Sequence, residues 1–278
     1  MRIVVRRIGA LGDVVLTTPV VRRLRRENPD AEIAVATAYP AVFRDSPHGL
    51  VLNPAEFAAD RFVDLDLAYE LRPSMHIVEA YMLAAFGDPG EPEDRRQEMF
   101  DPRPGPPLFA PSLRAVAMHA AQAGWRNRTL PRATWAAVVR LLRAKGFWPI
   151  LVGTERDALP GVDCTSCFVP DIHVQARLIR SCICFVGSDS GLLHVAGATS
   201  VPLVGVFTCA RPEYRLPFRG DCLAVVPDLP CVGCLERQPV PATTETCERG
   251  DIACVGAVSA DAIADAVERL VKRNAPER

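Results

Sequence analysis

The chain has almost no net charge: 32 Lys and Arg against 33 Asp and Glu leave -1 at pH 7 over 278 residues. That balance excludes broad nucleic-acid binding, which needs a cationic surplus to displace counterions, so any basic patch is local. Long polar tracts are missing too, and hydrophobic residues make up 49%, which excludes a disordered chain. No unbroken apolar span is present: the longest uncharged run, 190–210, is interrupted by His194, Gly197, Pro202 and Gly205 and reads as a helix followed by a strand. The start, MRIVVRRIGALGD, places arginines inside its apolar stretch and lacks a secretory h-region, so the expected location is cytoplasmic. Short-period repeats are absent, and so are GxGxxG and GxxxxGK[ST]; Gly9 and Gly12 are spaced GxxG, which argues against nicotinamide and ATP.

What is present is strand-helix alternation, the mark of an α/β chain. RIVVRRI (2–8), AEIAVAT (31–37) and RFVDLDL (61–67) read as strands, and Pro19 is expected to split the helix after the first. DPRPGPPLFAP (101–111) holds five prolines, too many for a helix or a central strand, and reads as a linker. Beyond it the alternation restarts with RAVAMH (114–119), a helix over 131–145 and the strands 148–153, 183–187 and 202–207. A terminal amphipathic helix over 259–273 is capped by Ser259.

Each half runs a strand into a glycine turn and a helix, RIGALGDV and VGSDSGLLH, a natural place for an anion. Asp13 there is either a base kept ionised by the helix dipole or a capping acid, and Asp189 and Ser190 are either capping residues or partners of a nucleotide phosphate. His194 lies one turn further on, beside Leu192 and Leu193. The RRLRRE run (Arg22, Arg23, Arg25, Arg26) is a solvated face at a helix end or a dock for an anionic acceptor; RPEYRLPFR (211–219) is a basic loop at a cleft or a charged connection.

Ten cysteines in a reducing compartment are thiols or metal ligands rather than disulfides. Cys231-x2-Cys234-x12-Cys247-x6-Cys254 has the spacing of a four-thiolate site for zinc or iron. Cys164 and Cys167 form a second pair with no partner pair nearby, while Cys182 and Cys184 read as packing residues.

Three segments, RIGALGDVVLTTPVVRRLR, WRNRTLPRATWAAVVRLLRAKGFWPILVG and FVGSDSGLLHVAGATSVPLVGVF, together resemble in order and spacing the heptosyltransferase family of inverting glycosyltransferases, glycosyltransferase family 9. FVDLDLAYELRPSMHIVEAYMLAAFG resembles an acceptor-side segment of that family. The resemblance implies a GT-B fold, two facing Rossmann-like domains, here with a shortened N-terminal domain: 1–105 on the acceptor side and 106–278 on the donor side, the latter carrying the cysteine-rich loop 231–254. It implies transfer of heptose from ADP-heptose to an acceptor hydroxyl, in lipopolysaccharide core synthesis. Autotransporter protein O-heptosylation and an inactive nucleotide-sugar-binding homologue are the alternatives.

By the same resemblance Asp13 is the general base, and Ser190 with the backbone of Ser190, Gly191 and Leu192 holds the diphosphate. Asp189 shapes or caps the turn, His194 lines the donor pocket, and Arg128 replaces a lysine that neutralises the leaving phosphate. Gly12 and His119 face the cleft; Arg126 is a weaker phosphate candidate. No catalytic divalent ion is expected, and the four-cysteine metal is structural, iron in the autotransporter branch. The expected partners are ADP-heptose and a sugar, lipid-linked or protein acceptor, with a peripheral inner-membrane contact left open.

Overall fold

Runs such as IVV, VAM and FVG, apolar at consecutive positions rather than alternate ones, are those of strands covered on both faces, the condition for a parallel sheet. The computed structural model describes residues 1–56, 58–100, 106–122, 124–238 and 247–274. The first half contains β1 (Arg2–Arg6), α1 (Leu11–Val15), α2 (Thr18–Glu27), β2 (Glu32–Ala36), β3 (Leu50–Leu52), β4 (Arg61–Asp64) and α3 (Ile77–Phe86). The second contains β5 (Ala115–His119), α4 (Arg132–Ala144), β6 (Trp148–Gly153), β7 (Thr165–Phe168), α5 (Ile172–Arg180), β8 (Cys184–Ser188), α6 (Gly191–Gly197), β9 (Leu203–Val206), β10 (Cys222–Val225), α7 (Ala253–Ala257) and α8 (Ala260–Arg273).

These strands make two parallel sheets, one of four in the order β3-β2-β1-β4 and one of six in the order β10-β9-β8-β5-β6-β7. In register, Val4 lies opposite Ala34 and Phe62, and Ala117 opposite Ile150 and Phe185. Each sheet starts at an inner strand and later reverses direction, between β1 and β4 and between β5 and β8. Crevices at such reversals, outside the carboxyl ends of the strands, are where doubly wound sheets bind ligands. One apolar cluster crosses between the halves, setting Val14 and Val15 with Leu192, Leu193 and Val195.

Local signals explain most boundaries. The helix after β1 breaks at Leu16–Thr17, with Pro19 in the first turn of α2. RFVDLDL yields only a four-residue strand, because Leu67 turns the chain at φ 61°. Ser259 caps α8 by accepting the N–H of Ala262. Of the proline-rich linker, 101–105 lie outside the described residues and Pro111–Leu113 form a single 3-10 turn. The RRLRRE arginines are engaged: Arg22 bonds Glu98, Arg23 bonds Glu27 and Asp88, Arg26 bonds Asp94, and Arg25 donates to backbone carbonyls. They tie down the segment 88–98 as well as their own helix end. Among the described residues no helix is long and apolar enough to cross a membrane.

His76 joins the halves. Its Nδ1 accepts the N–H of Val78, capping α3, and its Nε2–H donates to the carbonyl of Leu216 at 2.9 Å. Burial disfavours the charged ring and pushes its pKa from 6.5 down to about 3. The unfolded chain therefore binds a proton that the folded chain does not, so the contribution is complete above pH 6.5 and is lost as pH falls towards 3. Between pH 6.5 and 5 this group alone is expected to remove about 2 kcal/mol of stability. Urea midpoints at the two pH values should show a smaller acid loss in His76→Asn than in the wild type; an equal loss would place the acid sensitivity elsewhere.

Candidate active site

A cleft of about 800 Å³ lies at the carboxyl ends of β1, β5, β6 and β8, where the two reversal points face each other. That is ample for a nucleotide sugar. Gly12, Asp13, His119, Arg128, Asp189, Ser190, Gly191, Leu192 and His194 all line it, so every expected catalytic, donor and cleft residue is gathered there. Arg126 is exposed and does not line the cleft.

Several of these residues sit there for reasons different from those expected. Asp13 caps nothing: the N-cap of α1 is Ala10, and the Asp13 carboxylate instead accepts from Arg7 at 2.5 Å. Arg7, at the end of β1, is nearly buried and also reaches Glu70 at 3.0 Å and the faces of Tyr69 and Tyr81. Burial alone would lower its pKa, yet Tyr81, Asp13 and Glu70 outweigh it and hold the guanidinium firmly charged. Asp13 is thus oriented by an ion pair that leaves its second oxygen unengaged by Arg7. A dipole argument is weak here, since α1 is five residues long and α6 seven.

Asp189 does not cap α6 either. The N-cap is Ser190, with no side-chain cap bond, and Asp189 is buried between Arg128 at 3.4 Å, Arg215 at 3.9 Å and His194 at 3.9 Å. Burial opposes its charge, but Arg128 and then Arg215 hold the carboxyl below its usual range. His194 is held neutral chiefly by burial. The two glycines are explained by each other's half of the chain. A Cβ on Gly12 would come within 2.5 Å of the His194 ring, and one on Gly191 within 3.1 Å of Leu11. Their absent side chains let α1 and α6 touch, rather than opening room for a ligand.

The basic loop 211–219 divides. Arg211 pairs with Glu213 on the surface, Arg219 binds Asp221 and the carbonyls of Thr199 and Val201, and Arg215 alone enters the cleft. Its guanidinium lies over Tyr69 and pairs with Glu236 at 3.5 Å. Arg7, Tyr69 and Asp157 are not singled out by the sequence, whereas Arg215 belongs to the loop 211–219 read there as a basic loop at a cleft or a charged connection. A charged residue just after an inner strand is a usable signal for Arg7. A second pocket, about 240 Å³, shares Asp13, Tyr69, Trp125, Arg128 and Arg215 with the cleft and continues past Arg72, Tyr214 and Glu236.

Behind Arg128, Cys231, Cys234, Cys247 and Cys254 converge on one small pocket together with Cys209, a fifth thiol. Burial pushes Cys234 up to about 12 and Cys254 up to about 11. Cys247 goes the other way: burial opposes ionisation, but the backbone N–H groups of Ile252, Arg249, Gly250 and Asp251 outweigh it. Ile252 adopts φ 49° to do so, an unusual conformation for a β-branched residue. Among the described residues no group of three or more His, Cys, Asp or Glu is placed as a metal set, and residues 239–246 of the loop lie outside the description. Asn127, next to cleft-lining Arg128 in the chain, also lines this pocket, and its carbonyl accepts the Thr208 hydroxyl at 2.5 Å.

Residues 85–242, just over half of the chain, match the profile of glycosyltransferase family 9 (heptosyltransferase). No curated protein sequence matches. Among solved structures, a glycosyl transferase family 9 protein from Veillonella parvula superposes with a TM-score of 0.74 at 16% identity, covering 98% of this chain and 97% of that one. The iron-containing dodecameric glycosyltransferase TibC of enterotoxigenic E. coli gives 0.76 at 15%, covering 98% and 78%. E. coli ADP-heptose lps heptosyltransferase II gives 0.67 at 15%, covering 98% and 99%. At these identities the likeness establishes a shared GT-B fold.

Proposed function

Because the chain belongs to glycosyltransferase family 9, the heptosyltransferase family, we propose that this glycosyltransferase moves heptose from ADP-heptose to an acceptor hydroxyl. The observation that supports this most is the convergence of Asp13 from the first half with Arg128, Ser190 and His194 from the second around one cleft. In this reading residues 1–105 form the acceptor side and 106–278 the donor side. The acceptor enters by the second pocket and reaches Asp13 from the side opposite the donor.

The chemistry is a single displacement. Asp13, oriented by Arg7, takes the proton of the acceptor hydroxyl as its oxygen attacks the anomeric carbon, and the bond from that carbon to the diphosphate oxygen breaks on the opposite face. ADP leaves with both electrons of that bond. Arg128 and Arg215, fixed by Asp189 and Glu236, supply the positive charge that meets it, and Ser190 donates to a phosphate oxygen. Guanidinia held in place before the reaction need no reorganisation when the charge develops.

A lipopolysaccharide core sugar is the leading acceptor, which would set the enzyme in the cytoplasm with a peripheral membrane contact. Protein O-heptosylation is the second reading, favoured by the cysteine pocket and by the described likeness to iron-containing TibC. Incubation with labelled ADP-heptose and each acceptor separates them: label on lipid supports the first, label on protein the second. ADP binding without turnover on either marks an inactive homologue.

The thiols suit a soft metal, and four of them already share one pocket. Cys231, Cys234, Cys247 and Cys254 would hold zinc or iron, which would cross-link the loop behind Arg128 and take no part in the transfer. The double variant Cys231→Ser/Cys234→Ser is expected to release metal and lower the melting temperature by several degrees. Unchanged metal content and melting would remove the metal from this account.

A further inference from the structure

His119 ends β5, at the reversal point of the second sheet, and is almost fully buried. Its Nδ1 is 2.9 Å from the Ser190 hydroxyl and its Nε2 3.5 Å from a carboxylate oxygen of Asp157. Two glycines make room for the ring: a Cβ on Gly153 would lie 2.9 Å from its Cδ2 and 2.6 Å from Asp157, and one on Gly187 would lie 3.2 Å from its Cβ. Asp157 accepts the N–H of Gln122 at 2.8 Å, and the N–H and hydroxyl of Thr154 at 2.9 and 3.0 Å. Burial opposes its charge, but His119 and Thr154 outweigh that and set the carboxyl at about 2. Of the elements packed around the ring, β6 brings Gly153, β8 brings Gly187 and the start of α6 brings Ser190; the turn after β6 brings Asp157, the charged group that pairs with the ring among the described residues. Asp189, beside Ser190, is engaged by Arg128, Arg215 and His194.

We infer that Asp157 and His119 form a proton-linked support for Ser190, so that a diphosphate bound against Ser190 draws one proton from solvent onto His119. This rests on the donor site proposed above. With a carboxylate at Nε2, the neutral ring keeps its hydrogen there and offers a lone pair at Nδ1. The Ser190 hydroxyl then donates inward to Nδ1 and turns its own lone pairs towards the cleft, the wrong face for an anion. For Ser190 to donate to a phosphate oxygen, its hydrogen must rotate outward and Nδ1 must become a donor to Oγ. That requires a second proton on the ring, taken from solvent; no other bond changes. The imidazolium is then flanked by Asp157, and its charge reaches the ligand through Ser190. His119 is a positioning residue in this scheme, since Ser190 makes the contact.

The test is calorimetric titration of ADP at about pH 8, where an ordinary imidazole is neutral, in buffers of different ionisation enthalpy. The slope of observed heat against buffer ionisation heat counts the protons taken up and is expected to approach one. ADP affinity should fall up to about tenfold per pH unit as the solution becomes more alkaline. His119→Asn, whose amide offers a permanent N–H to Ser190, should bind ADP within about tenfold of the wild type with zero slope and a flat pH profile. A zero slope with ADP bound to the wild type, or a slope that persists in His119→Asn, overturns this inference and leaves the donor site standing. No heat with ADP overturns both. A zero wild-type slope overturns the inference even where the variant does not fold.

Discussion

Asp13→Asn is expected to lower heptosyl transfer by about 10²- to 10⁴-fold, the range a lost general base commands, with ADP affinity nearly unchanged. The reason is that a base acts only as the acceptor proton leaves, so its removal falls on kcat rather than on nucleotide binding. Asparagine keeps an oxygen facing Arg7, and Arg7 retains Glu70 at 3.0 Å, so the fold should survive. Rate and calorimetric affinity measured on the same preparation separate the alternatives. Equal loss of both would make Asp13 a structural partner of Arg7 and remove the base from the mechanism.

The second large effect is expected at Arg215, whose guanidinium is shared between Asp189 and Glu236 beneath Tyr69. Its side chain is only 7% exposed and that of Glu236 9%, so Arg215→Met leaves a buried carboxylate unpaired. Breaking a buried pair from one side costs about 3–5 kcal/mol, or very roughly 6–20 °C in a chain of this size. Transfer should fall by about 10²- to 10³-fold as well, because one of two fixed charges facing the leaving diphosphate is gone. Arg215→Met/Glu236→Gln separates the two effects. The double variant is expected to recover most of the melting temperature and none of the rate. Recovery of both would show that Arg215 merely neutralises Glu236.

Strands were legible because a parallel sheet covered on both faces demands uninterrupted apolar runs, and IVV, VAM and FVG supply them. The helix break near Pro19 and the Ser259 cap follow from rules that act within a few residues. α3 was hidden, since its N-cap is His76, an unusual capping residue whose other nitrogen is satisfied 140 positions along the chain. α5 carried a readable signal in Asp171, which accepts the N–H groups of His173 and Val174. Asp13, Ser190 and His194 were legible as cleft-lining residues because a turn after an inner strand must open into the crevice.

Their roles were less legible, and for one physical reason: the group that settles each role comes from a distant part of the sequence. Gly12 is small because of His194, Gly191 because of Leu11, and Asp189 is ionised because of Arg128 and Arg215. No local pattern carries that information. The cysteines lie between these cases. Their spacing predicted a four-thiolate metal site; the fold brings the four to one pocket, where no metal set is placed among the described residues, and adds Cys209 from the loop after β9.

The central claim is that the cleft between the two reversal points holds an adenine nucleotide sugar. Titrating ADP, GDP, UDP and NAD separately into the purified protein, and then ADP-heptose, tests it most directly. The account predicts that ADP binds selectively and that Arg128→Ala weakens it. Binding of NAD alone, or of none of the four, would contradict the account and leave the cleft without its donor.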